Sequence, residues 1–369
     1  MRDGIYILDA DAHVIEPLSL FGDVLPPGVP LLDLPDTTPL VPCGDAEKVR
    51  DQIENGFDAP SYLRAMDTQG IDGVVLFPST GLFVPYLPEL SPAASERACR
   101  VYNEWVAEYC MVEPSRLAAV ALLPLAEVGR AMEVARQAAR YGLCGVMVRP
   151  NRLYGRMLGD RAYDVLYDCL ESEGLVLAVH EGAGLRGADQ LGSDRFRTFT
   201  GRHACSHPME QMAGFGSLVL DGALERHPGL RMALLESGSG WLPYWLERLD
   251  SHVEWMRGPE TGDLTLAPSE YFQRQCVIST EPEDSLAAMV VSRCGSDHVV
   301  WASDFPHPDA IYPEAVDTFV TESLHAGMSR EDLAAVLGQT PLRFYRLARR
   351  FEAVASREPG DSPRPPGNR

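Results

Sequence analysis

The sequence predicts a (β/α)₈ barrel, and two observations carry this prediction. Short apolar runs alternate with longer amphipathic stretches along almost the whole 369-residue chain, as expected for repeated βα units around a parallel sheet. There are eight such runs, which is the strand count of this barrel. An open doubly wound sheet is the alternative, but the glycine-rich phosphate turn of its nucleotide-binding form does not follow the first run.

The predicted elements are spaced so that a helix fits between successive strands. The predicted strands are residues 4–13, 71–79, 117–125, 143–150, 175–182, 230–238, 274–280 and 298–307. Helical periodicity fills several gaps, and some of these segments end in glycine, as a helix C-cap does. The predicted helices include residues 94–112, 131–142, 161–174 and 282–295.

The domain prediction is one barrel over residues 1–352, followed by a disordered tail at 353–369. Residues 23–60 are rich in proline, glycine and aspartate and interrupt the first βα unit. Loops that follow strands face the active end of a barrel, so this insertion is a candidate lid, although a plain surface excursion is an equal alternative. A second long connection, residues 181–208, follows the fifth predicted strand.

Composition excludes several classes of partner. Acidic residues outnumber basic ones 53 to 32, for a net charge of −21, which disfavours binding to nucleic acid or to anionic lipid. The eight cysteines form no C-x-x-C pair, which is typical of reduced, mostly buried thiols. No stretch looks like a signal peptide or a membrane span. We therefore expect a cytoplasmic protein whose partner is a small-molecule substrate.

Polar residues interrupt the apolar runs at their C-terminal ends, where barrels place their chemistry. Asp11 and His13 share one face of the first strand, and His180, Glu236 and Asp304 end the fifth, sixth and eighth. Three carboxylates and two imidazoles gathered at one barrel mouth would be poorly solvated and mutually repulsive unless a cation lay among them. The pattern predicts a divalent metal site.

The residues around these positions resemble a known family. The segments DADAHVIEP, AVHEGAG, HPMEQM, LLESGSGWLP and WASDFPHPD together look like the amidohydrolase superfamily, in its branch related to aminocarboxymuconate semialdehyde decarboxylase and resorcylate decarboxylases. The resemblance extends over about residues 5–350. It implies a (β/α)₈ barrel with a catalytic divalent metal, usually zinc or manganese, and a possible homodimer.

The resemblance also assigns roles by position. It implies that His13, His180 and Asp304 are metal ligands, with Asp11 where family members carry histidine or glutamate. Asp304 would also orient or deprotonate the metal-bound water, and His207 would shuttle a proton or support a ligand.

Two departures from the family pattern matter. Glu236 stands where the decarboxylases carry a catalytic histidine after strand six, which weakens a direct transfer of their mechanism. Arg149 stands where binuclear amidohydrolases have a bridging carboxylated lysine, and the one lysine of the chain, Lys48, lies outside any predicted strand. A second ion would need an ordinary carboxylate bridge from Glu236 or Asp11. The donor set suits zinc, manganese or iron, as one ion or two.

Other residues are weaker candidates. Arg149 follows strand four and could clamp a substrate carboxylate, or simply form a salt bridge, and Trp241 could wall the pocket. His203 ranks below His207 because it lies in the middle of a loop with nothing to fix its position, whereas His207 begins the segment HPMEQM, which is predicted to open a helix. His307, just after Asp304, could support the ligands from behind.

Three functions fit these residues. The leading hypothesis is metal-assisted hydrolysis or non-oxidative decarboxylation of a small carboxylic acid, in which Asp304 takes a proton and His207 or Glu236 returns one. The alternative is a non-haem diiron monooxygenase, suggested by the carboxylate-rich ligand set. The third is a metal-stabilised binding protein without catalysis, in which an alanine at Asp304 would leave ligand affinity unchanged.

Overall fold

Eight parallel strands form a nearly closed barrel. The computed structural model describes residues 4–28, 30–34, 38, 40–186, 190–192, 195–258 and 260–355, the last four by their backbone alone. Each strand pairs with the next along the chain, which confirms the predicted (β/α)₈ barrel. The strands are β1 (Leu8–Val14), β2 (Gly73–Pro78), β3 (Leu117–Leu122), β4 (Gly145–Val148), β5 (Val176–His180), β6 (Met232–Leu235), β7 (Cys276–Thr280) and β8 (Val299–Trp301).

Every strand residue is buried, because the strands are covered by helices outside and by one another's side chains inside. The strands lie within the eight predicted runs, apart from Val14, one residue beyond the first. The runs were longer than the strands because apolar residues continue into the loops.

Helices cover the outside of the barrel. Helices of 13 residues or more follow β2, β3, β5 and β6, and shorter ones fill the remaining gaps. Within the described residues the α-helices are α1 (Arg50–Glu54), α2 (Ala59–Gln69), α3 (Pro92–Cys110), α4 (Val128–Arg140), α5 (Asp164–Glu173), α6 (Phe199–Leu220), α7 (Ala223–Arg226), α8 (Leu242–Trp255), α9 (Pro268–Gln275), α10 (Ala287–Cys294), α11 (Ala315–His325), α12 (Arg330–Ala334), α13 (Thr340–Phe344) and α14 (Ala348–Ala355).

The barrel is closed between β1 and the segment after β8 by backbone hydrogen bonds. His13 N–H donates to Phe305 O at 2.7 Å, and Asp304 N–H donates to Asp11 O at 3.1 Å. Asp9, one pleat before Asp11, accepts from Ser303 N–H at 3.0 Å and from the Ser303 hydroxyl. Closure of the barrel therefore brings the polar ends of its first and last strands together.

Two predicted segments differ from the structure. The connection predicted over residues 181–208 is interrupted by α6, which begins at Phe199 with Thr198 as its N-cap, so His203 lies on a helix rather than in a loop. The helix α14 continues to Ala355, within the start of the tail predicted at 353–369, and the rest of that tail lies outside the described residues.

The cysteines and helices agree with the sequence in two further respects. All eight cysteines are free, and seven of them are buried, as the sequence predicted. Across the described ranges, no helix has the length and apolar character that crossing a membrane would require.

A close backbone approach fixes the C-terminal helices against β1. Gly338 lies in a π-helical turn, Ala335–Gln339, and a Cβ atom there would stand 2.1 Å from the carbonyl oxygen of Tyr6. Backbone cannot move aside as a flexible side chain can. The position therefore requires glycine.

We expect Gly338→Ala to lower the free energy of unfolding by about 1–3 kcal/mol, the typical cost of overpacking a filled site. Gly129→Ala in α4 is the matched control, because its Cβ would meet nothing within 4 Å and alanine favours helix. Urea unfolding of both variants measures the effect. Equal stabilities would contradict the close approach.

Candidate metal centre and its cavities

The barrel mouth gathers the five polar strand-end residues into one group, which we call the ligand cluster: Asp11, His13, His180, Glu236 and Asp304. His13 Nε2 lies 3.2 Å from Asp304 Oδ1 and 3.7 Å from Asp11 Oδ1. His180 Nε2 lies 2.9 Å from Glu236 Oε2 and 3.5 Å from Asp11 Oδ2. Residues nearly 300 positions apart in the chain thus share a space a few ångströms wide.

The two imidazoles of the cluster are oriented from behind by backbone carbonyls. His13 Nδ1 lies 2.9 Å from Pro78 O, and His180 Nδ1 lies 2.5 Å from Glu181 O. Because a carbonyl only accepts, each Nδ1 carries the proton. In the neutral ring each Nε2 then presents a lone pair to the carboxylates, as a metal-bound histidine does.

The facing atoms have no hydrogen-bond partners among the described residues, although they are buried. These atoms are Asp11 Oδ1, His13 Nε2, His180 Nε2 and Glu236 Oε2. Lone pairs that face lone pairs in a buried site repel one another unless a cation or protons lie between them. The side chains of Asp11, His13 and His180 also offer ligand atoms within 4.8 Å of one another, so the residues fit a divalent ion.

Without a cation, protons take its place. Burial by itself lowers the pKa of His180, but the carboxylates of Asp11 and Glu236 raise it well above its usual value. Burial likewise raises the pKa of Glu236, yet the imidazoles of His180 and His207 bring it well below its usual range. Both directions express the same demand for positive charge at the centre of the cluster.

Two ligand-cluster carboxylates sit on strained backbone. Glu236 has φ = 48° and Asp304 has φ = 55°, in the left-handed region that side chains rarely adopt. Such a conformation costs of order 1–3 kcal/mol and persists only where the surroundings enforce it. Ser279 Oγ accepts from Glu236 N–H at 3.1 Å, and the bond from Asp304 N–H to Asp11 O holds the other residue. The strained backbone thus lies at the two residues, Glu236 and Asp304, whose carboxylates point into the barrel mouth.

Three further histidines surround the cluster. The ring of His307 stacks on that of His13, with 3.8 Å between centroids, and its Nδ1 lies 2.7 Å from Asp304 Oδ1. His207 and His203 stand one turn apart on α6, and their ring centroids are 4.0 Å apart. The sequence analysis placed His203 in a loop because it missed the start of α6. The i, i+4 spacing of the two histidines is the sequence signal that they share one face of a helix.

His307 and His207 differ in charge. Burial lowers the pKa of His307, but Asp304 outweighs it and raises the pKa to about 9, so this ring carries a proton. Burial lowers the pKa of His207 to about 3, so this ring is neutral. His207 Nδ1 lies 3.0 Å from the backbone oxygen of Glu236, to which it donates.

Two cavities meet at the ligand cluster. The larger, about 680 Å³, is mostly apolar, and the residues that line it include no arginine or lysine. Four of its leucines belong to the segment predicted as a lid: Leu31, Leu32, Leu34 and Leu40. The smaller, about 240 Å³, is acidic and includes Glu281, Glu283 and Asp309 in its lining. We call them the apolar cavity and the acidic cavity.

Comparison with known proteins identifies the family of this chain. The sequence profile of the amidohydrolase family matches residues 8–347. The chain belongs to this amidohydrolase family. This confirms the resemblance drawn from the sequence motifs. A search of curated protein sequences gave no significant match.

Solved structures show that this amidohydrolase shares its fold with decarboxylases. An amidohydrolase of Mycobacterium avium subsp. paratuberculosis K-10 is 20% identical, with TM-score 0.74, over 92% of this chain and 99% of that one. The 5-carboxyvanillate decarboxylase of Sphingomonas paucimobilis is 21% identical, with TM-score 0.72, over 93% and 99%. A dihydroxybenzoic acid decarboxylase of Polaromonas sp. JS666, solved with manganese and 2-nitroresorcinol, is 17% identical, with TM-score 0.68, over 94% and 98%.

In the amidohydrolase, Arg149 lines neither cavity and forms a salt bridge, which was the alternative to a carboxylate clamp. Arg149 is fully buried, its Nη2 lies 3.2 Å from Glu181 Oε1, and it donates to Asn151, to Leu82 O and to Gly182 O. All its nitrogens are therefore engaged behind the wall of the apolar cavity.

Trp241 also lies outside the lining of both cavities. Its indole Nε1–H donates to Ser237 Oγ at 3.2 Å, at the start of α8. This contact fixes the turn that follows Glu236, so the ring does not form the predicted pocket wall.

We expect Arg149→Met to destabilise the protein by about 3–5 kcal/mol, because it leaves Glu181 buried without its cation. Burial already raises the pKa of Glu181 to about 7, even with Arg149 beside it. Arg152→Met, at an exposed position in the same loop, is the control. Unfolding in urea near neutral pH compares the two. A substrate clamp without structural weight would give equal stabilities.

We expect added Mn²⁺ to raise the melting temperature of the wild type, since an ion that binds only the folded state stabilises it by about 2.7 kcal/mol at one hundred times its dissociation constant. His180→Ala should strongly reduce this rise, whereas His252→Ala, exposed on α8, should leave it intact. Thermal unfolding with and without metal provides the measurement. An undiminished rise in His180→Ala would place the ion elsewhere.

Proposed function

We propose that this amidohydrolase-fold enzyme is a non-haem iron oxygenase that hydroxylates a largely apolar organic molecule. The observation that carries the proposal is the group of Asp11, His13 and His180, which contacts Glu236 in the lining of the apolar cavity through His180. Two histidines and one carboxylate with open positions are the ligand group typical of non-haem Fe(II) oxygenases. Glu236, in place of a histidine, adds a further hard oxygen donor 2.9 Å from His180.

The residues around the cluster divide the work. Asp11, His13, His180 and Asp304 would hold the ion, and iron bound there would supply the redox chemistry that activates O₂. The leucines of residues 31–40 and the side chains of Leu82 and Phe83 would hold an apolar substrate and exclude water. Protonated His307, hydrogen-bonded through Nε2 to Ser79 Oγ at 3.0 Å, would keep Asp304 ionised.

The proposed reaction inserts one oxygen atom of O₂ into a substrate C–H bond and releases the other as water. This balance requires two electrons and two protons, which an external electron donor must supply. No acid is required at the reacting carbon. The replacement of the strand-six histidine by Glu236 weakens the case for a decarboxylase, but hydroxylation does not require that histidine.

The second candidate is metal-assisted decarboxylation or hydrolysis of a small organic acid. It is favoured by the ligand-distance contact between His13 Nε2 and Asp304 Oδ1, since the decarboxylase branch that the sequence resembles uses this strand-one and strand-eight pair. In that case a substrate carboxylate would bind the ion itself, and Asp304 would accept a proton.

Metal analysis and nitric oxide binding discriminate the two. Protein purified without oxygen should retain iron, and its Fe(II) form should bind nitric oxide, a probe of open coordination positions, and give a spin-3/2 electron paramagnetic resonance signal. Asp11→Ala should lose iron and signal together because it removes one of the residues that would hold the ion. His325→Ala, on α11, is the control.

The opposite outcome supports the second candidate. Protein that retains zinc or manganese instead of iron, and that releases CO₂ from 2,6-dihydroxybenzoate or 5-carboxyvanillate, would overturn the oxygenase proposal. Two of the structurally similar decarboxylases take their names from these acids, and one of the two was crystallised with 2,6-dihydroxybenzoate.

A further inference from the structure

The carboxylate of Glu236 faces two different groups of donors with its two oxygens. Oε2 lies 2.9 Å from His180 Nε2, on the side of the ligand cluster. Oε1 lies 3.4 Å from His207 Nδ1 and 3.9 Å from His203 Nε2, on the side of α6. His207 Nδ1 donates to the backbone oxygen of Glu236, so the atom of this ring that is left to bind an ion is Nε2. The two oxygens of Glu236 thus face separate histidine groups, and a carboxylate in this position can bridge two ions.

The group on the α6 side has the composition of a metal site of its own. His203, His207 and Glu236 each offer one ligand atom, and these atoms lie within 4.8 Å of one another. Asp309 adds a carboxylate, whose Oδ2 is 3.8 Å from His203 Nε2. This donor set suits Fe(II), Mn(II) or Zn(II).

An unpartnered buried nitrogen supports the site independently. His207 is 4% exposed, and its Nε2 has no hydrogen-bond partner in the described part of the chain. Its Nδ1 donates to the backbone oxygen of Glu236, so Nε2 carries a lone pair in the neutral ring. A buried acceptor of this kind is costly unless something binds it.

The four residues of this second group lie between the two cavities. His203, His207, Glu236 and Asp309 line both the acidic and the apolar cavity, so they form the wall that the two share. An ion held there could arrive through the acidic cavity, whose carboxylates attract cations. It would also face the apolar cavity, where a substrate would lie.

We propose that a second divalent ion binds His203, His207, Glu236 and Asp309, and that Glu236 bridges it to the ion held by the ligand cluster. The inference rests on the metal centre of the proposed function but not on its oxidative reaction. Three carboxylates in the ligand cluster leave a single divalent ion with a net negative charge, and a second ion offsets it.

Manganese stoichiometry tests the site without any assay of activity. Wild-type protein stripped with chelator, loaded with Mn²⁺ and desalted should hold two ions per chain. His203→Ala and Asp309→Asn should each hold close to one, because the ligand cluster remains intact. His252→Ala, distant on α8, should hold two.

Electron paramagnetic resonance adds a readout that a structural role would not change. Two Mn²⁺ ions joined by one carboxylate give an exchange-coupled spectrum, whereas the two ligand variants should give the six-line pattern of an isolated ion. Asp309 is more than half exposed, so Asp309→Asn keeps the test decisive if His203→Ala unfolds.

The outcomes separate this inference from the proposed reaction. One ion per wild-type chain, or two uncoupled ions in both ligand variants, would overturn the second site while an iron signal with nitric oxide would still support the oxygenase. Two coupled ions without iron retention would keep the site and refute the oxidative reaction.

Discussion

The structure depends on an electrostatic constraint at the barrel mouth, where buried acceptor atoms face one another. Three carboxylates and two imidazole lone pairs converge there, and the facing atoms lack hydrogen-bond partners among the described residues. Mutual repulsion of this size is tolerated only around positive charge. The left-handed backbone of Glu236 and Asp304 is a further cost of the same arrangement. A metal centre accounts for both costs at once.

Barrel closure supplies the rigidity that such a site requires. Asp9 binds Ser303 through both carboxylate oxygens, and the backbone of Asp11 binds that of Asp304, so the first and last strands are fastened directly beside the ligands. Burial raises the pKa of Asp9 to about 7, which marks how completely this carboxyl is enclosed. The polarity of the first strand therefore has two purposes: Asp9 closes the barrel, whereas Asp11 and His13 point into its mouth.

The two cavities that meet at the ligand cluster differ in polarity: one is apolar and the other is acidic. Leucines from the segment after β1 form an apolar cavity, while Glu281, Glu283 and Asp309 make the adjoining cavity acidic. Glu236 and two histidines of α6 stand between them. Substrate and cation thus have separate approaches to one centre, and the fixed cation Arg149 stabilises the cavity wall from behind instead of binding substrate.

The sequence by itself predicted the eight strands, four of the helices between them and the five polar residues that meet at the barrel mouth. Alternation of apolar runs and the placement of polar residues at strand ends are local properties, and the barrel then forces those ends together. Only the tertiary structure decided the remaining features. Packing decided that Arg149 contacts the buried Glu181 and does not line a cavity. Packing also placed His203, His207 and Glu236 in the wall that the two cavities share. Side-chain direction at loop and helix positions is set by contacts with distant segments, which no local pattern encodes.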